Sequence, residues 1–475
     1  MSNFSSRKER EEMQELLKVY HSIKMGRGAT FLREDDFEKI IIYFDEKEDM
    51  PAALEAAEIA LKQFPSSAAM MLKKADVLIA LKQFENALQL LNLAELYDSG
   101  DLDLYVLKTD VYLALGQPQH AAEVFETALQ IFEGDDRIDL LFELSEVYDD
   151  YDDFEKVFEC LQLLLKEDPN NEEALLKICF WADFTGNCEA SIKLHQWIID
   201  EYPFNELAWF NLATAYQGLK LYEKAIDAYQ YALAIDEKLD IAYRNMADAH
   251  IRLRQYPQAI ENLEKVLEIA QPEEVIFEAL GHCHFKVKNY PKARFYYRKA
   301  SQVNPADSRI YYKIAITYCK EARWENAIRQ LDTAMRMHPN QAEYNILMGQ
   351  SKMEQGKLKE AIQFFSHAVR VKPKNIAGRE SLIIGLIKAG YTEEAAEQCI
   401  KAGQATAQNP VFDYYASAVL FLAGKNKEAV LHLEKGLKGN PKLFTKVINL
   451  VPGLLLRPNV ADTINKYIKK KKMGK

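Results

Sequence analysis

His282-Cys283-His284 is the one local cluster of metal-ligating side chains in the chain. Imidazole nitrogens and thiolates are the ligand set of zinc. Residues two apart on a helix project about 200° from each other, however, so the two histidines cannot face one ion without a partner from elsewhere. The reading is a core histidine, His284, beside a surface histidine, His282, with no metal and no cofactor. An enzyme or metalloprotein centred on His282 and Cys283 is the lesser alternative. A second stretch, Lys286 to Lys299 (KVKNYPKARFYYRK), mixes six basic residues with four aromatics, the composition of a nucleic-acid surface. Tyr290 and Tyr297 stand at core spacing there, with the charges between them as on a solvated helix face, so nucleic-acid binding is a rival reading only. No Gly-rich phosphate loop, GxSxG or HExxH occurs.

Charge is unevenly spread. The net charge of −11 works against a general nucleic-acid or anionic-membrane surface. Residues 133–173 carry 16 Asp or Glu against three basic residues, around Asp149-Asp150-Tyr151-Asp152-Asp153, without a calcium-loop pattern. They read as a charged solvent face, with a docking patch for a basic protein as the functional alternative. Residues 442–475 carry nine Lys or Arg against one Asp, ending in Lys469–Lys472, a solvating end or a contact for an acidic partner or phosphate. The opening residues are polar and lack the apolar core of a secretory signal, and no apolar run reaches the roughly 18 residues of a membrane span. The expectation is a cytoplasmic protein without membrane insertion, whose six scattered cysteines stay reduced.

What must position these groups is a repeat. Alanine falls at Ala225, Ala259, Ala293, Ala327, Ala361, Ala395 and Ala429, always 34 residues apart. Counting back gives Ser191 and Val157, and after a two-residue slip Ala121, Ala87 and Ala53. A fixed period of this length means units that bury their apolar faces only against neighbours. Twelve units start at 34, 68, 102, 138, 172, 206, 240, 274, 308, 342, 376 and 410, so the array spans residues 34–443. Segments 1–33 and 444–475 are left as an N-terminal capping helix and C-terminal capping helices with the basic tail.

Within a unit the period is helical. Trp209, Leu212, Ala213 and Tyr216 lie on one face of a first helix, and Ala225, Tyr229 and Ala232 on a second. Breaks at Gly116, Gly186, Gly218 and Gly356 predict left-handed helix ends, and Pro65, Pro169, Pro203, Pro305, Pro339, Pro373 and Pro441 close units. The marker alanines, with Ala75, Ala213, Ala247, Gly281, Ala315 and Gly349 twelve positions before a marker, predict a close helix crossing where only small side chains fit.

The order aromatic, x2, Leu, Gly/Ala, x2, Tyr, then Ala, x3, aromatic, x2, Ala, then Pro resembles the tetratricopeptide repeat. The unit at 274 supplies Phe277, Leu280, Gly281, Ala293, Tyr297, Ala300 and Pro305. The first unit departs with Ile41 at the small site, and the unit at 376 with Arg379 and Ile383. The resemblance implies an all-α fold, an α-solenoid in which stacked helical hairpins wind into a right-handed superhelix with terminal capping helices. It implies a concave groove lined by the second, fifth, ninth and twelfth positions of each first helix: here Leu207, Phe210, Thr214, Ile241, Arg244, Asp248, Glu278, His282, Arg309, Tyr312 and Gln350. That mixture suits a protein or peptide segment anchored by aromatics and selected by charge. The Lys, Asn and Arg clamp that some relatives use for chaperone carboxylate tails is missing from it. The expected function is a non-catalytic, cytoplasmic protein-interaction scaffold. An RNA-binding helical-repeat protein and a self-assembling array are the alternatives.

Overall fold

The computed structural model describes residues 7–26, 31–448, 450, 451, 453 and 460–464. Among them there is no strand. Each 34-residue period is a pair of antiparallel helices, because two apolar stripes at 3.6-residue spacing are separated by a short break. Two compact units, Met1–Ala242 and Tyr243–Lys475, are distinguished by their internal contacts.

In the first unit, α1 (Arg7–Lys24) precedes the pairs α2 (Glu34–Asp45) with α3 (Met50–Gln63), α4 (Ala68–Ala80) with α5 (Phe84–Tyr97), and α6 (Leu102–Ala114) with α7 (Pro118–Ala128). Then come α8 (Asp135–Asp150) with α9 (Phe154–Glu167), α10 (Glu172–Thr185) with α11 (Cys188–Glu201), and α12 (Glu206–Gly218) with α13 (Tyr222–Ile235). The division falls inside α14 (Asp240–Arg252). The second unit continues with α15 (Tyr256–Ile269), α16 (Glu274–Lys286) with α17 (Tyr290–Val303), and α18 (Ser308–Lys320) with α19 (Trp324–Met337). It ends in α20 (Ala342–Glu354) with α21 (Leu358–Val371), α22 (Ile376–Lys388) with α23 (Thr392–Ala405), α24 (Pro410–Leu422) with α25 (Asn426–Gly439), and α26 (Phe444–Ile448). The two-residue slip sits between α7 and α8. There α7 stops at Ala128 and α8 begins at Asp135, three residues before the sequence register, after Gly134 turns the chain with φ 65°.

Every alanine marker is sealed, from Ala53 to Ala429 at 0% exposure, as are Ala75, Ala213, Ala247 and Ala315 on the facing helix. Gly281 and Gly349 show why these sites stay small. A Cβ on Gly281 would stand 2.5 Å from the Tyr297 ring, and one on Gly349 would stand 2.5 Å from Phe365. Pro65, Pro169, Pro203, Pro305 and Pro373 each stand two residues ahead of Ser67, Asn171, Asn205, Asp307 and Asn375, whose side chains accept backbone N–H bonds that open the next first helix. At one end Tyr20 of α1 is buried beside Phe44. At the other, Phe444 packs on Tyr414, and Val460 is fully buried in the last pair's core. Residues 454–459 and 465–475, and with them Lys469–Lys472, lie outside the described residues.

The turns inside the pairs bear out the glycine expectation at Gly116, Gly186 and Gly356 and depart from it at Gly218. A left-handed residue occurs once in each of the twelve, at 48, 82, 116, 152, 186, 220, 254, 288, 322, 356, 390 and 424. Five of these are glycine, but Glu48, Lys82, Asp152, Lys220, Arg254, Lys288 and Ala322 hold the same conformation with a Cβ. Gly218 is not the left-handed residue of its turn; Lys220 is, with φ 62°. Gly218 ends α12, where a Cβ would meet the Cys188 sulfur at 2.6 Å. Helix packing on both sides imposes the turn, and composition follows only where it can.

His195 of α11 is wholly buried. Its Nδ1–H donates to the Ser191 carbonyl at 2.7 Å, and its Nε2 accepts from Asn211 at 3.2 Å. Burial excludes the charged ring and lowers its pKa to about 4.

Two sets of outcomes follow from this packing. Lys288→Gly relieves a left-handed residue costing about 1–2 kcal/mol, less the about 0.5–1 kcal/mol that glycine loses in entropy, so the urea midpoint rises; Gly281→Ala crowds Tyr297 and lowers stability by about 1–3 kcal/mol. Because the folded pKa of His195 lies below its unfolded value, its contribution is complete above about pH 6.5 and fades as pH falls towards 4, a loss on the order of 3 kcal/mol. Hydrogen exchange in α11 and α12 should show this acid weakening, and His195→Gln should flatten it.

Candidate functional site

The residues expected to line a groove fall on both units, and each surface stands by itself. In the first unit Leu207 and Phe210 are 9% and 6% exposed, so they support the helix from inside instead of lining a surface. Phe210 lies 5.8 Å from the Tyr229 ring, and the Thr214 hydroxyl donates to the Phe210 carbonyl at 3.1 Å. Ile241 is half-buried. Position in the helix places Leu207 and Phe210 on the groove stripe; the Tyr229 ring of α13 and the close packing of α12 on α10 draw them inward.

In the second unit the expected residues form a polar, half-exposed surface on successive first helices. Arg244 of α14 donates two parallel bonds to the carboxylate of Glu273, both 2.9 Å, and this pairing lowers the Glu273 pKa. Asp248 accepts from Arg252 at 3.3 Å. Glu278 of α16 accepts from Lys313 of α18, and Arg309 embraces Asp307 at 2.9–3.1 Å. The Arg309 guanidinium holds the Asp307 carboxyl below its usual range. Tyr312 packs 5.0 Å from Tyr344 of α20, whose hydroxyl meets Ser308 at 2.9 Å. Gln350 is half-buried farther along α20.

His282 lies on the same surface. Burial lowers its proton affinity, the Lys286 and Lys313 charges lower it further, and Glu278 alone opposes them. It contacts Tyr256 of α15, whereas His284 is buried with its ring stacked on Tyr296 of α17 at 5.4 Å. The two imidazoles therefore address different helices, and Cys283 between them is sealed, its thiol pushed up to about 12 by burial. The three carboxylates that do converge, Glu274, Glu278 and Asp307, are each engaged already: by Asn304 at 2.8 Å, by Lys313 and by Arg309. In the stretch 286–299, Arg294 is buried and paired with Glu321 at 2.8 Å, Arg298 donates to the Tyr318 hydroxyl at 2.7 Å, and Lys299 lies over the rings of Phe277 and Phe295. Half of its cations are thus committed within the fold.

Glu273, Asp307, Lys313, Ser308 and Tyr344 were not among the expected site residues. The signal for several was present in the period: partners on neighbouring first helices lie one repeat plus one or two residues apart, as Glu278 with Lys313 and Ser308 with Tyr344.

Helix pairs at this spacing, with small residues at the crossings, define a repeat scaffold. Models of the tetratricopeptide repeat match residues 40–101 and 342–375, and the model of the tetratricopeptide repeat protein 21 C-terminal ARM domain matches residues 185–348. The chain is a tandem array of tetratricopeptide repeats. No curated protein matches it. Among solved structures it is similar to YrrB, described as a TPR protein with an unusual peptide-binding site, at 19% identity over 39% of this chain and 96% of that one, with a TM-score of 0.36. The C-terminal part of a TPR protein from Cytophaga hutchinsonii matches at 16% identity over 54% and 98%, with a TM-score of 0.43. The Cut9–Hcn1 hetero-tetramer of the APC/C matches at 12% identity over 85% and 99%, with a TM-score of 0.37.

Replacing Glu278 by Gln removes the one charge that favours protonated His282. Its pKa, followed by NMR of the ring protons, should fall below the wild-type value; an unchanged titration would show that the two do not share a surface.

Proposed function

We propose that this protein is a non-catalytic scaffold that holds an extended protein or peptide segment against the first helices of its repeats. The observation that carries this reading is the second unit's surface, where Arg244, Asp248, Glu278, His282, Arg309 and Tyr312 recur on α14, α16 and α18 with their side chains already paired or stacked. Groups held in place before binding lose little freedom when a ligand arrives, so several weak contacts at repeat spacing sum to useful affinity. Aromatic and arginine side chains are the usual anchors of such surfaces. The reading includes a cytoplasmic setting, which the six free cysteines support. YrrB is described as having a peptide-binding site, which accords with a peptide as the ligand class.

Because Phe210 is buried, the informative variant leaves it alone. Arg244→Ala, Arg309→Ala and Tyr312→Ala combined should lose, by at least about tenfold, the partners that the intact protein retains in an affinity pull-down. Equal recovery by both proteins, with the variant folded by circular dichroism, would show that these residues do not form the binding surface.

A further inference from the structure

The first helices of the other unit present a different surface. Asp45 on α2, Asp76 on α4, Asp110 on α6, and Glu143 and Asp149 on α8 are all exposed. Asp45, Asp76, Asp110 and Glu143 follow one another closely enough to repel, and Asp149 is crowded by Glu146 and Asp150. Asp76 is held above the ordinary carboxylate range first by burial between its neighbours and then by Asp45; Asp110 by burial and then Asp76; Glu143 by burial and then Glu146 and Asp110. These side chains touch solvent, yet the walls of adjacent helices thin the water around them. Among the described residues, none of the five makes an ion pair. The cations that reach this run, Lys73 and Lys177, are bound to Glu38 at 3.0 Å and to Glu146.

The run ends on an apolar face. Leu176, Phe180 and Phe184 stand four residues apart on α10 and are 54%, 59% and 59% exposed. Phe180 and Phe184 stack at 5.9 Å and are braced by Trp181 and by Phe154 of α9, with ring centroids 4.8–5.7 Å apart. Lys177 joins the two surfaces: it pairs with Glu146 of α8 and lies 4.0 Å from the Phe142 ring. Three large apolar side chains along one exposed helical stripe, rimmed by charge, mark an interaction site.

We infer that this face docks a cationic amphipathic segment of a partner protein, whose Lys and Arg side chains settle among Asp76, Asp110 and Glu143 while its apolar residues cover Leu176, Phe180 and Phe184. Charge complementarity selects the occupant. Cations entering the run relieve repulsion already present, whereas nucleic acid or an anionic membrane would add to it. A neutral amphipathic helix would satisfy the rings alone, and a polar cationic chain the carboxylates alone. The inference stands beside the scaffold reading, on other residues and another unit.

The test uses the full chain and three synthetic peptides of about 20 residues: one placing Leu and Phe at helical spacing among Lys and Arg, one with every basic residue replaced by Gln, and one with every Leu and Phe replaced by Ser. The first should bind at least about tenfold more tightly than either control and weaken about tenfold between low and moderate salt. Its hydrogen-exchange protection should fall on α4, α6, α8 and α10. Asp76→Asn, Asp110→Asn and Glu143→Gln combined should weaken binding about tenfold while leaving the melting midpoint equal or higher, since repulsion is removed; unfolding cannot then explain the loss. Phe180→Ser with Phe184→Ser, both exposed, should weaken it likewise. Equal binding of the first two peptides, wild-type affinity in the neutralised variant, or protection confined to α16–α20 would each overturn the inference. So would a dimer of the free protein that the same neutral substitutions dissociate, because the occupant would then be a second copy. Protection on α16–α20 abolished by the Arg244, Arg309 and Tyr312 variant would leave the scaffold reading intact.

Discussion

Two antiparallel helices approach closely where their facing residues are small, and most helix pairs of this molecule meet that condition, with Ile41, Val157 and Ile383 departing from it. The marker alanines on the second helices and the alanines or glycines opposite them on the first are sealed from water. Their small size brings the larger side chains into register. Tyr297 lies over Gly281 and Phe365 over Gly349 because nothing occupies the space between ring and backbone. Such contacts are local, so each repeat is stable only with its neighbours beside it, and stability becomes a sum of pair and interface contributions. The seven non-glycine left-handed turns follow: two helices held at a short distance force the connecting chain through that conformation whatever residue stands there.

Close approach within a pair also sets the spacing between successive first helices, and from this spacing comes a second class of contact. Lys73 reaches Glu38, Asn211 donates to the Leu175 carbonyl, and Lys313 reaches Glu278, all 35 or 36 residues apart. A polar side chain on one first helix finds its partner on the next, at a place fixed by the period. The surface of the first helices is therefore a lattice of pairs, and what distinguishes one stretch from another is which pairs are left incomplete.

The two units differ in that respect. In the second, arginine, lysine and carboxylate alternate and largely satisfy each other, with Tyr312 and Tyr344 packed among them. In the first, carboxylates follow carboxylates and end beside exposed rings. A balanced surface selects by geometry, because its own charges are already neutralised. An unbalanced one selects by sign, because a ligand of opposite charge removes repulsion that the folded chain carries when alone. One backbone architecture thereby offers two chemically distinct faces without any change in how its helices pack.

Much of the fold was legible in the amino-acid order because repetition multiplies weak local signals. A single alanine says little, but Ala225 through Ala429 at constant spacing mark a helix crossing, and the prolines followed two residues later by Ser67, Asn171 or Asp307 mark where the next helix opens. The sealed state of His284 followed likewise from its place on the core stripe. What the order of residues did not disclose depends on distances across the fold. Leu207 and Phe210 carry the same helix positions as Arg309 and Tyr312, yet they are drawn inward, Phe210 against the Tyr229 ring, where α12 packs on α10 more closely than α18 packs on α20. Lys220, not Gly218, is the left-handed residue of its turn, and the exposure of Phe180 and Phe184 beside the carboxylate run depends on how the neighbouring helices pack. Periodicity reports which side chains share a helix face; whether that face meets protein or water is settled by what packs against it, and that information is not local.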